Sequence, residues 1–491
     1  MRETESVMAS RRAAVDLLIV GLGSAGMTAA EMAARLGLSV VVVERARAGG
    51  DCLWTGCVPS KALVAAAAAA HHSRAAAVFG LPSASTDTDL GAVWRRMRAV
   101  RDEIAVGDDD PARFEAVGVR VWPGDATVTG PHEVTIADEH GGVRTVEAGV
   151  ILLCTGGHPV IPAIDGLADV GFLTTETVFE LEEVPRRVVF IGGGPVSVEL
   201  AQAFQRLGIV SAVLHSGDRL LPRDEPELVD AVVSTLSAEG VELCCNVDVV
   251  RVEPGPVVVG RVAGIERRWP ADAVVVAVGR RPNVDGLGLD AVGVATGERG
   301  VVVDSHGRTT VPSIYAAGDV TGGEMFTHAA AHQAAVAVRD AFYPGRGRAG
   351  AVVPWATFTE PALAHAGMTV AEARGRFGDR RVRVHRWSLE HNDRARTDGA
   401  TTGGIVLVER TGLRGRRLIG AHVLAAGAGE VINELVLAIE RGMSVADLGG
   451  VVHVYPTIAT SLQQLGGRAA VERARRYRWL LKRAGRRSWR R

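Results

Sequence analysis

Two thiols and a lysine stand close together in the stretch GGDCLWTGCVPSKAL, residues 49–63. Cys52 and Cys57 are separated by four residues, and Lys61 follows Cys57 at the spacing of one helical turn. Such a cysteine pair could form a redox disulfide, bind a metal or pack as two structural thiols. A zinc site is disfavoured, because no second cysteine pair or histidine pair follows at metal-ligand spacing.

The residues around Cys57 favour a reactive thiol over a structural one. Pro59 is typical of a helix start, so Cys57 is expected at a helix N-terminus, where partial positive charge stabilises a thiolate. Lys61 would lie on the same face, and its ammonium could stabilise a thiolate or a reduced flavin. Lys61 and Lys482 are the only lysines in a sequence with 55 Lys plus Arg. A lysine at this position indicates a need for a compact charge that a guanidinium does not supply.

The segment before this stretch has the pattern of a dinucleotide-binding unit. VDLLIVG (15–21) predicts a strand, GLGSAG (21–26) a turn leading into an alanine-rich helix, and SVVVVE (39–44) a second strand that ends in Glu44. The glycines would allow the tight turn, the approach of a pyrophosphate to the helix N-terminus, and helix–strand packing. Glu44 could accept a hydrogen bond from a ribose hydroxyl. The alternative is a tight βα turn that binds nothing.

The same unit returns at residues 186–216, so the chain is expected to bind two dinucleotides. Ser197 takes the third small position of this second motif. Its second strand ends in His215, where an acid would favour the free 2′-hydroxyl of NAD. His215, Ser216 and Arg219 could instead hold a 2′-phosphate. The motif therefore favours NADPH, with NADH as the alternative.

The composition describes a soluble globular chain of several domains. The 491 residues are 47% hydrophobic and 23% charged, with a formal net charge of −1, so no basic footprint for nucleic acid is present in the body of the chain. No run of about 18 apolar residues predicts a membrane span. Five cysteines do not form a disulfide framework in a chain of this length, and the cytoplasm is the expected compartment.

Seven motifs carry a family resemblance when taken together. In chain order they are GLGSAG, GGDCLWTGCVPSKAL, TGGHP, GGGPVSVELA, VGRRPN, AAGDV and HVYPT. They resemble the class I flavoprotein disulfide reductases, the pyridine nucleotide-disulfide oxidoreductases that include dihydrolipoamide dehydrogenase, glutathione reductase, mycothione reductase and mercuric reductase. The resemblance runs from about residue 15 to residue 470. The sequences of the motifs are most similar to those of mercuric-reductase-like oxidoreductases.

The resemblance implies an α/β fold with two Rossmann-like dinucleotide-binding domains and an α+β C-terminal dimerisation domain, assembled as a homodimer. The expected divisions of the chain are a flexible leader (1–14), a FAD-binding domain (15–157 and 281–348), an NAD(P)-binding domain (158–280), the dimerisation domain (349–470) and a basic tail (471–491). A nucleic-acid or membrane partner for the tail is the weaker interpretation, because a terminal charge run is usually solvated.

The resemblance also implies roles for individual residues. FAD would occupy the first glycine motif and NADPH the second, with hydride passing from the nicotinamide through the flavin to a Cys52–Cys57 disulfide. Cys57 would be the thiol nearest the flavin, Cys52 the outer interchange thiol, and Lys61 would pair with Glu199 beside flavin N5. The expected cofactor-binding residues are Gly21, Gly23, Ser24, Gly26, Glu44, Gly50, Asp51, Thr155, Gly156, Gly318, Asp319, Gly192, Gly194, Pro195, Val196, Glu199, His215, Ser216, Arg219, Gly279 and Arg280.

The C-terminal motif departs from the family pattern. Disulfide reductases of this family end in H-x-H-P-T-x-x-E, in which the second histidine is a general acid–base and the glutamate orients it. Here HVYPTIAT (453–460) puts Tyr455 in place of that histidine and Thr460 in place of the glutamate. His453 lies two residues earlier and is expected to point elsewhere. A phenol with an ordinary pKa of about 10 is a poor base for a thiol proton at neutral pH. Tyr455 is expected near Cys52 of the partner subunit.

The sequence therefore predicts a FAD-dependent NAD(P)H oxidoreductase whose acceptor is a small disulfide, a metal ion or a quinone. No resident metal is expected. Dihydrolipoamide dehydrogenase is an alternative that Tyr455 and Thr460 disfavour, and a redox-inactive flavoprotein serving as a scaffold subunit is another. Mercuric reductase itself is disfavoured, because no cysteine follows Cys245 and no N-terminal metal-binding domain precedes the first motif.

Overall fold

The computed structural model describes residues 13–83, 87–343, 352–412 and 415–475. Most of the expected leader, Lys482 and the last part of the expected basic tail lie outside the described residues. Within the described part of the chain the fold is mixed α/β, with parallel sheets in the first two thirds and an antiparallel sheet near the C-terminus.

The first glycine motif opens a parallel sheet that antiparallel strands extend. The elements in this part are β1 (Ala13–Val20), α1 (Ser24–Arg35), β2 (Val40–Glu44), α2 (Gly50–Trp54), α3 (Cys57–Ala75), α4 (Leu90–Ala105), α5 (Pro111–Ala116), β3 (Val119–Pro123), β4 (Asp125–Gly130), β5 (Glu133–Ala137) and β6 (Val143–Leu153). The strand order is β3-β2-β1-β6-β5-β4, and β1 pairs in parallel with both β2 and β6. The valines of β2 are buried because a parallel strand is covered on both faces.

The second glycine motif opens a smaller parallel sheet. The elements are β7 (Gly157–Pro159), α6 (Leu167–Val170), β8 (Arg187–Ile191), α7 (Pro195–Arg206), β9 (Val210–Leu214), α8 (Pro226–Ala238), β10 (Glu242–Cys244), β11 (Val247–Glu253), β12 (Val257–Val262), β13 (Ile265–Pro270), β14 (Ala273–Val276) and β15 (Arg280–Pro282). The parallel strands follow the order β10-β9-β8-β14, and β11 to β13 form an antiparallel sheet. Strands β7 and β15 pair where the chain enters and leaves this unit.

The chain then returns to the first sheet. This segment contains α9 (Leu289–Val292), β16 (Thr296–Gly297), β17 (Gly300–Val301), β18 (Ile314–Ala316) and α10 (Thr327–Phe342). Strand β18 pairs in parallel with β6, and α10 packs against α1. The alanines of α1, such as Ala29 and Ala33, are fully buried, and their small side chains allow this close helix packing.

The C-terminal part is an antiparallel sheet with helices. Its elements are β19 (Trp355–Thr357), β20 (Ala362–Gly367), α11 (Val370–Phe377), β21 (Val382–Ser388), α12 (Asp393–Thr397), β22 (Gly404–Gly412), β23 (Gly415–Ala425), α13 (Ala428–Glu440), α14 (Val445–Leu448) and α15 (Thr460–Arg475). The sheet order is β19-β20-β23-β22-β21. The predicted fold class, with two dinucleotide-binding units followed by an α+β unit, is confirmed.

The two glycine motifs have the same backbone geometry. Gly21 and Gly192 both adopt positive φ angles, of 101° and 123°. A Cβ atom on Gly21 would lie 2.4 Å from the carbonyl oxygen of Cys154, and one on Gly192 would lie 2.2 Å from that of Ala277. Each carbonyl belongs to a chain segment that follows the strand next to the motif. The internal repeat predicted from the sequence is therefore a repeat of structure.

One hydrophobic core joins the cysteine-bearing helix to the second nucleotide-binding unit. Leu63 of α3, Trp94 of α4 and Phe204 of α7 are buried in a single cluster, and the Trp94 and Phe204 rings lie 5.5 Å apart. The same cluster reaches Leu363 and Leu424 of the antiparallel sheet. Because cores of this kind are close-packed, α3 is held in a fixed relation to all three parts of the chain.

The helical stretch over residues 50–79 is long and apolar enough to cross a membrane, judged by length and composition alone, with a mean hydropathy of 1.3 in its most apolar window. This differs from the expectation based on the sequence, in which no such run was recognised. The stretch contains α2, α3 and the turn at Thr55 and Gly56 between them, and Leu63 and Ala67 pack into the core just described. A single such helix does not distinguish a membrane span from an apolar helix of a folded domain.

We expect Gly26→Ala to destabilise the protein by about 1–3 kcal/mol or more, because overpacking against fixed atoms is costly. A Cβ atom on Gly26 would lie 1.9 Å from the carbonyl oxygen of Gly21, so backbone would have to move. Gly375→Ala is the control, because Gly375 lies in α11 and a Cβ atom added there would have no neighbour within 4 Å. That variant should gain about 0.5–1 kcal/mol. Chemical unfolding of both variants tests this, and equal stability of Gly26→Ala and the wild type would contradict it.

Candidate active site

A cleft of about 2010 Å³ lies among the described residues. Both glycine motifs, the cysteine stretch and the beginning of the antiparallel sheet line it. Two dinucleotides, one bound at each glycine motif, would therefore meet in this cleft beside the cysteines.

At the first glycine motif, backbone atoms that no side chain covers face the cleft. Helix α1 begins at Ser24, and its N-cap residue is Gly23, which has no side chain to satisfy the first backbone N–H groups. Gly50 approaches Gly23 so closely that a Cβ atom on Gly50 would lie 2.9 Å from the Gly23 Cα. Unsatisfied N–H groups at a helix N-terminus bind phosphate. These residues fit the pyrophosphate of a dinucleotide such as FAD.

Glu44 is anchored at the end of β2 by the glycine motif itself. One carboxylate oxygen accepts the backbone N–H of Leu22 at 2.6 Å, and the other accepts that of Ala46 at 2.8 Å. The side chain lines the cleft. The expected ribose acceptor is thus oriented before any ligand binds.

A cluster of charged side chains joins the cysteine stretch to the AAGDV turn. The Arg280 guanidinium contacts the carboxylates of both Asp51 and Asp319 and donates to the carbonyl oxygen of Gly157 at 2.6 Å. Burial raises the pKa of Asp319, and the nearby guanidinium opposes that shift. Arg280 therefore links the residue before Cys52 to the AAGDV turn.

A second set of hydrogen bonds fixes the TGGHP turn. The Thr155 hydroxyl donates to the carbonyl oxygen of Asn283 at 2.7 Å, and the Asn283 amide donates back to the carbonyl oxygen of Thr155 at 2.8 Å. Gly156, between Thr155 and the entry strand β7, has a φ of 70° and lines the cleft. Gly318 likewise lines the cleft, and its backbone N–H donates to Gln333.

The two cysteines are free thiols in this structure. Cys52 lies in α2 and Cys57 is the first residue of α3, as the sequence predicted for a helix N-terminus. A hydrogen bond from Cys52 is the main cause that lowers the pKa of Cys57 to about 6. Burial opposes that shift, while the Thr327 hydroxyl, 3.5 Å from the Cys57 sulfur, and the Lys61 charge support it. The same hydrogen bond, with burial, raises the pKa of Cys52. Cys57 is thus the thiolate and Cys52 keeps its proton.

Lys61 and Glu199 form an ion pair, as the resemblance implied. The Lys61 ammonium lies 2.7 Å from one carboxylate oxygen of Glu199, and the other oxygen accepts the backbone N–H of Phe358 at 2.8 Å. The Glu199 side chain is 7% exposed, while that of Lys61 is 36% exposed. A buried carboxylate needs such partners, because desolvation without pairing is costly.

The second glycine motif presents Gly192, Gly194 and the first turn of α7 to the cleft. Pro195 opens α7, so its missing N–H removes no helical hydrogen bond. The His215 ring lies against the motif, where a Cβ atom on Gly193 would meet its Cγ at 2.5 Å.

The other predicted residues of this region divide into two groups. His215 and Ser216 line the cleft together with Val196, Gly279 and Arg280. Arg219 instead lies 3.6 Å from Asp230, in an ion pair outside the residues that line the cleft. Its expected role in holding a phosphate would require that pair to open.

The residues of the C-terminal motif lie apart from the cysteines of the same chain, outside the lining of the cleft. The Tyr455 hydroxyl donates to Asp393 at 3.0 Å, and the side chain of Tyr455 is largely exposed, as are those of Val452 and Val454. The side chain of His453 is instead only 5% exposed, with Nε2 at 2.9 Å from Glu434. His453 therefore does point differently from Tyr455, as the sequence predicted.

Sequence reasoning missed four partners of the predicted site residues. They are Thr327 beside Cys57, Phe358 beside Glu199, Glu434 beside His453 and Asp393 beside Tyr455. The members of these pairs are between 19 and 270 residues apart in sequence. No local spacing signals such contacts.

We expect Cys57 to be the first cysteine that iodoacetamide alkylates in the apoprotein at pH 7, with a rate that rises through a midpoint near pH 6. The thiolate is the nucleophile, and the pKa values of Cys52, Cys154, Cys244 and Cys245 are all raised. Thr327→Val should move the midpoint to higher pH, because it removes a hydrogen bond to the thiolate. Mass spectrometry of peptides measures each rate, and a wild-type midpoint above about pH 8, where free cysteine titrates, would contradict the assignment.

Comparison with known proteins agrees with this geometry. The family model for pyridine nucleotide-disulphide oxidoreductases matches residues 15–334, and the model for their dimerisation domain matches residues 353–465. The chain is 37% identical to a mercuric reductase of Streptomyces lividans over 91% of this chain and 94% of that protein. It is 35% identical to a glutathione reductase of Burkholderia cepacia over 92% and 98%.

Solved structures show the same relationship. The Cu(II) complex of the HOCl-induced flavoprotein disulfide reductase RclA from Escherichia coli is similar with a TM-score of 0.80 at 26% identity, over 92% of this chain and 99% of that one. The matches include both dinucleotide-binding units and the C-terminal unit. The chain belongs to the pyridine nucleotide-disulfide oxidoreductases and is a FAD-dependent oxidoreductase enzyme of that family.

Proposed function

We propose that this enzyme uses NADPH to reduce a soft or redox-active metal ion at the Cys52–Cys57 pair. The observation that carries the proposal is the polarised pair of thiols: the pKa of Cys57 is lowered to about 6, whereas that of Cys52 is raised. When bound, FAD supplies the two-electron chemistry that connects the nicotinamide to the cysteines. The residues of the chain bind the cofactors, orient the thiols and keep the proton on Cys52 and the negative charge on Cys57.

Each part of the pair has a separate task in this proposal. Cys57 holds negative charge at the start of α3, supported by Thr327 and by the Lys61 ammonium. Cys52 retains its proton until an acceptor arrives. When the dithiol is oxidised to a disulfide, two electrons pass to one Hg(II) ion or to two Cu(II) ions, and the Cys52 proton is released. Reduction by NADPH then opens the disulfide and restores the dithiol.

The C-terminal motif indicates which class of electron acceptor the enzyme would use. Tyr455 and Thr460 stand where a disulfide reductase places a proton-transferring histidine and its glutamate. The Tyr455 hydroxyl donates to Asp393, which raises the pKa of the phenol further. A phenol held in this state is a poor base, so acceptors that need no protonated leaving thiol are favoured. The mercuric reductase at 37% identity and the Cu(II) complex of RclA support a metal acceptor.

A small disulfide is the second candidate. The glutathione reductase at 35% identity supports it, and His453 with Glu434 supplies an imidazole–carboxylate pair two residues from Tyr455. Turnover of Cu(II), Hg(II), oxidised glutathione, mycothiol disulfide and lipoamide under the same NADPH concentration separates the two candidates.

NADPH is favoured over NADH because His215, and not an acid, stands at the end of the second strand of the second motif. His215 and Ser216 line the cleft at the position where a 2′-phosphate would lie if the coenzyme bound as in other Rossmann units. A direct comparison of kcat/KM for the two coenzymes tests this choice.

We place the enzyme in the cytoplasm as a homodimer. The five free thiols support a reducing compartment. A partner subunit would cover the exposed side chains of Val452, Val454 and Tyr455 and bring Tyr455 to the partner's Cys52.

Anaerobic titration of the holoenzyme with NADPH should produce a long-wavelength absorbance from the Cys57 thiolate beside the flavin. Cys57→Ser should abolish it, because the thiolate is lost, whereas Cys244→Ser should leave it unchanged. The absorbance should also disappear as the pH falls, because protonation removes the thiolate. A wild-type enzyme that is reduced without this absorbance would contradict the dithiol route.

Co-expression of Cys52→Ser and Tyr455→Phe subunits with different tags tests the shared site. If Tyr455 serves the partner's Cys52, each mixed dimer contains one site with both changes and one intact site. The mixed dimer should then exceed both parent variants in metal-ion turnover, reaching about half of the wild-type rate per dimer. A mixed dimer no more active than the better parent would show that Tyr455 acts within its own subunit or not at all.

A further inference from the structure

Phe358 lies at the point where the antiparallel sheet meets the cleft. It falls between β19 and β20, and its side chain is 41% exposed in a position that lines the cleft. Large apolar side chains in this part of the chain are mostly buried, so an exposed ring facing a cofactor cleft is unusual in its surroundings.

Phe358 holds both members of the Lys61–Glu199 ion pair. Its backbone N–H donates to Glu199 at 2.8 Å, and its ring centroid lies 4.3 Å from the Lys61 ammonium. A cation at this distance from an aromatic face is attracted by the ring quadrupole. The backbone thus fixes the anion and the ring fixes the cation.

Lys61 has few other restraints. Beyond Glu199, its ammonium reaches the Ser60 hydroxyl at 3.4 Å, and more than a third of the side chain is exposed. A lysine carries a compact charge on a flexible four-carbon chain, so it can leave one position for solvent. The Phe358 ring closes one direction in which the ammonium could move.

We infer that Phe358 is a positioning residue that holds the Lys61 ammonium at the flavin side of the cleft and thereby favours the reduced flavin. The inference rests on the proposed electron route from NADPH through the flavin. A fixed positive charge stabilises the negative charge that accompanies reduction, and a mobile solvated ammonium stabilises it less. Loss of the ring should therefore shift the flavin toward its oxidised state.

Phe358→Leu tests the inference, because it removes the ring but keeps an apolar side chain and the backbone N–H bond to Glu199. Phe358→Tyr keeps an aromatic face and should rescue the effect. Phe79→Leu is the matched control, since Phe79 is also exposed but does not line the cleft. All three are prepared as full-length holoenzyme and as apoprotein.

The first readout is geometric and needs no cofactor. The sequence has two lysines, so lysine-selective isotope labelling gives NMR signals from Lys61 and Lys482 alone. The ε-methylene protons of Lys61 should be shifted upfield by the Phe358 ring current relative to those of the same lysine in the chemically unfolded protein. Phe358→Leu should abolish that difference, while Phe358→Tyr and Phe79→Leu should retain it.

The second readout is the flavin equilibrium. At a fixed NADPH to NADP⁺ ratio, the ratio of reduced to oxidised flavin should fall about 2- to 5-fold in Phe358→Leu, the range expected for one exposed cation–π contact. Phe358→Tyr and Phe79→Leu should match the wild type. Unchanged Lys61 shifts together with an unchanged flavin ratio in Phe358→Leu would overturn the inference.

The two proposals can fail separately. If NADPH does not reduce the wild-type flavin, the proposed electron route fails, while the apoprotein NMR still measures the contact between Phe358 and Lys61. If the wild-type flavin is reduced and Phe358→Leu behaves identically, the role of Phe358 fails and the electron route stands. An altered NMR shift with an unchanged flavin ratio would also reject the positioning role.

Discussion

The ion pair between Lys61 and Glu199 is the charged contact at which the three parts of the chain meet, and the chemistry of the cysteines depends on it. Lys61 comes from α3 of the first nucleotide-binding unit, Glu199 from α7 of the second, and Phe358 of the C-terminal unit binds both. Glu199 is almost completely buried, so its charge needs both partners. Separation of the two nucleotide-binding units would remove the cation that pairs with this buried carboxylate. This cost couples the relative position of the two nucleotide sites to the electrostatics of the cysteines.

The same region determines the chemistry of the thiols. Cys57 begins α3 one turn before Lys61, so the thiol with the lowered pKa and the cation that stabilises its negative charge share one helix. The hydrogen bond between the two cysteines makes them unequal, with the pKa of Cys57 lowered and that of Cys52 raised. The two thiols thus differ in protonation because their surroundings differ. Thr327, at the start of α10, adds a further hydrogen bond from a part of the chain 270 residues away.

The C-terminal motif separates this protein from a standard disulfide reductase of its family. The sequence replaces the usual histidine and glutamate by Tyr455 and Thr460. In the structure Tyr455 is exposed and hydrogen-bonded to Asp393, while the largely covered side chain of His453 contacts Glu434. An imidazole is therefore still present near the motif, but both of its nitrogens face acceptors, Glu434 and the carbonyl oxygen of Val451. Both contacts hold the ring in place.

The sequence by itself determined the fold class, the repeat of the glycine motif, the helix start at Cys57 and the pairing of Lys61 with Glu199, the last through family resemblance. Glycine turns, strand periodicity and helix starts are local, so a single chain segment encodes them. Only the tertiary structure decided that Arg219 pairs with Asp230, that Arg280 joins Asp51 to Asp319, and that Phe358 holds the ion pair. The Arg280 and Phe358 contacts join residues distant in sequence, and the geometry of all these contacts depends on the packing of whole elements. The sequence therefore predicts the residues of the redox site, and the packing of the elements decides which charged side chains lie beside them.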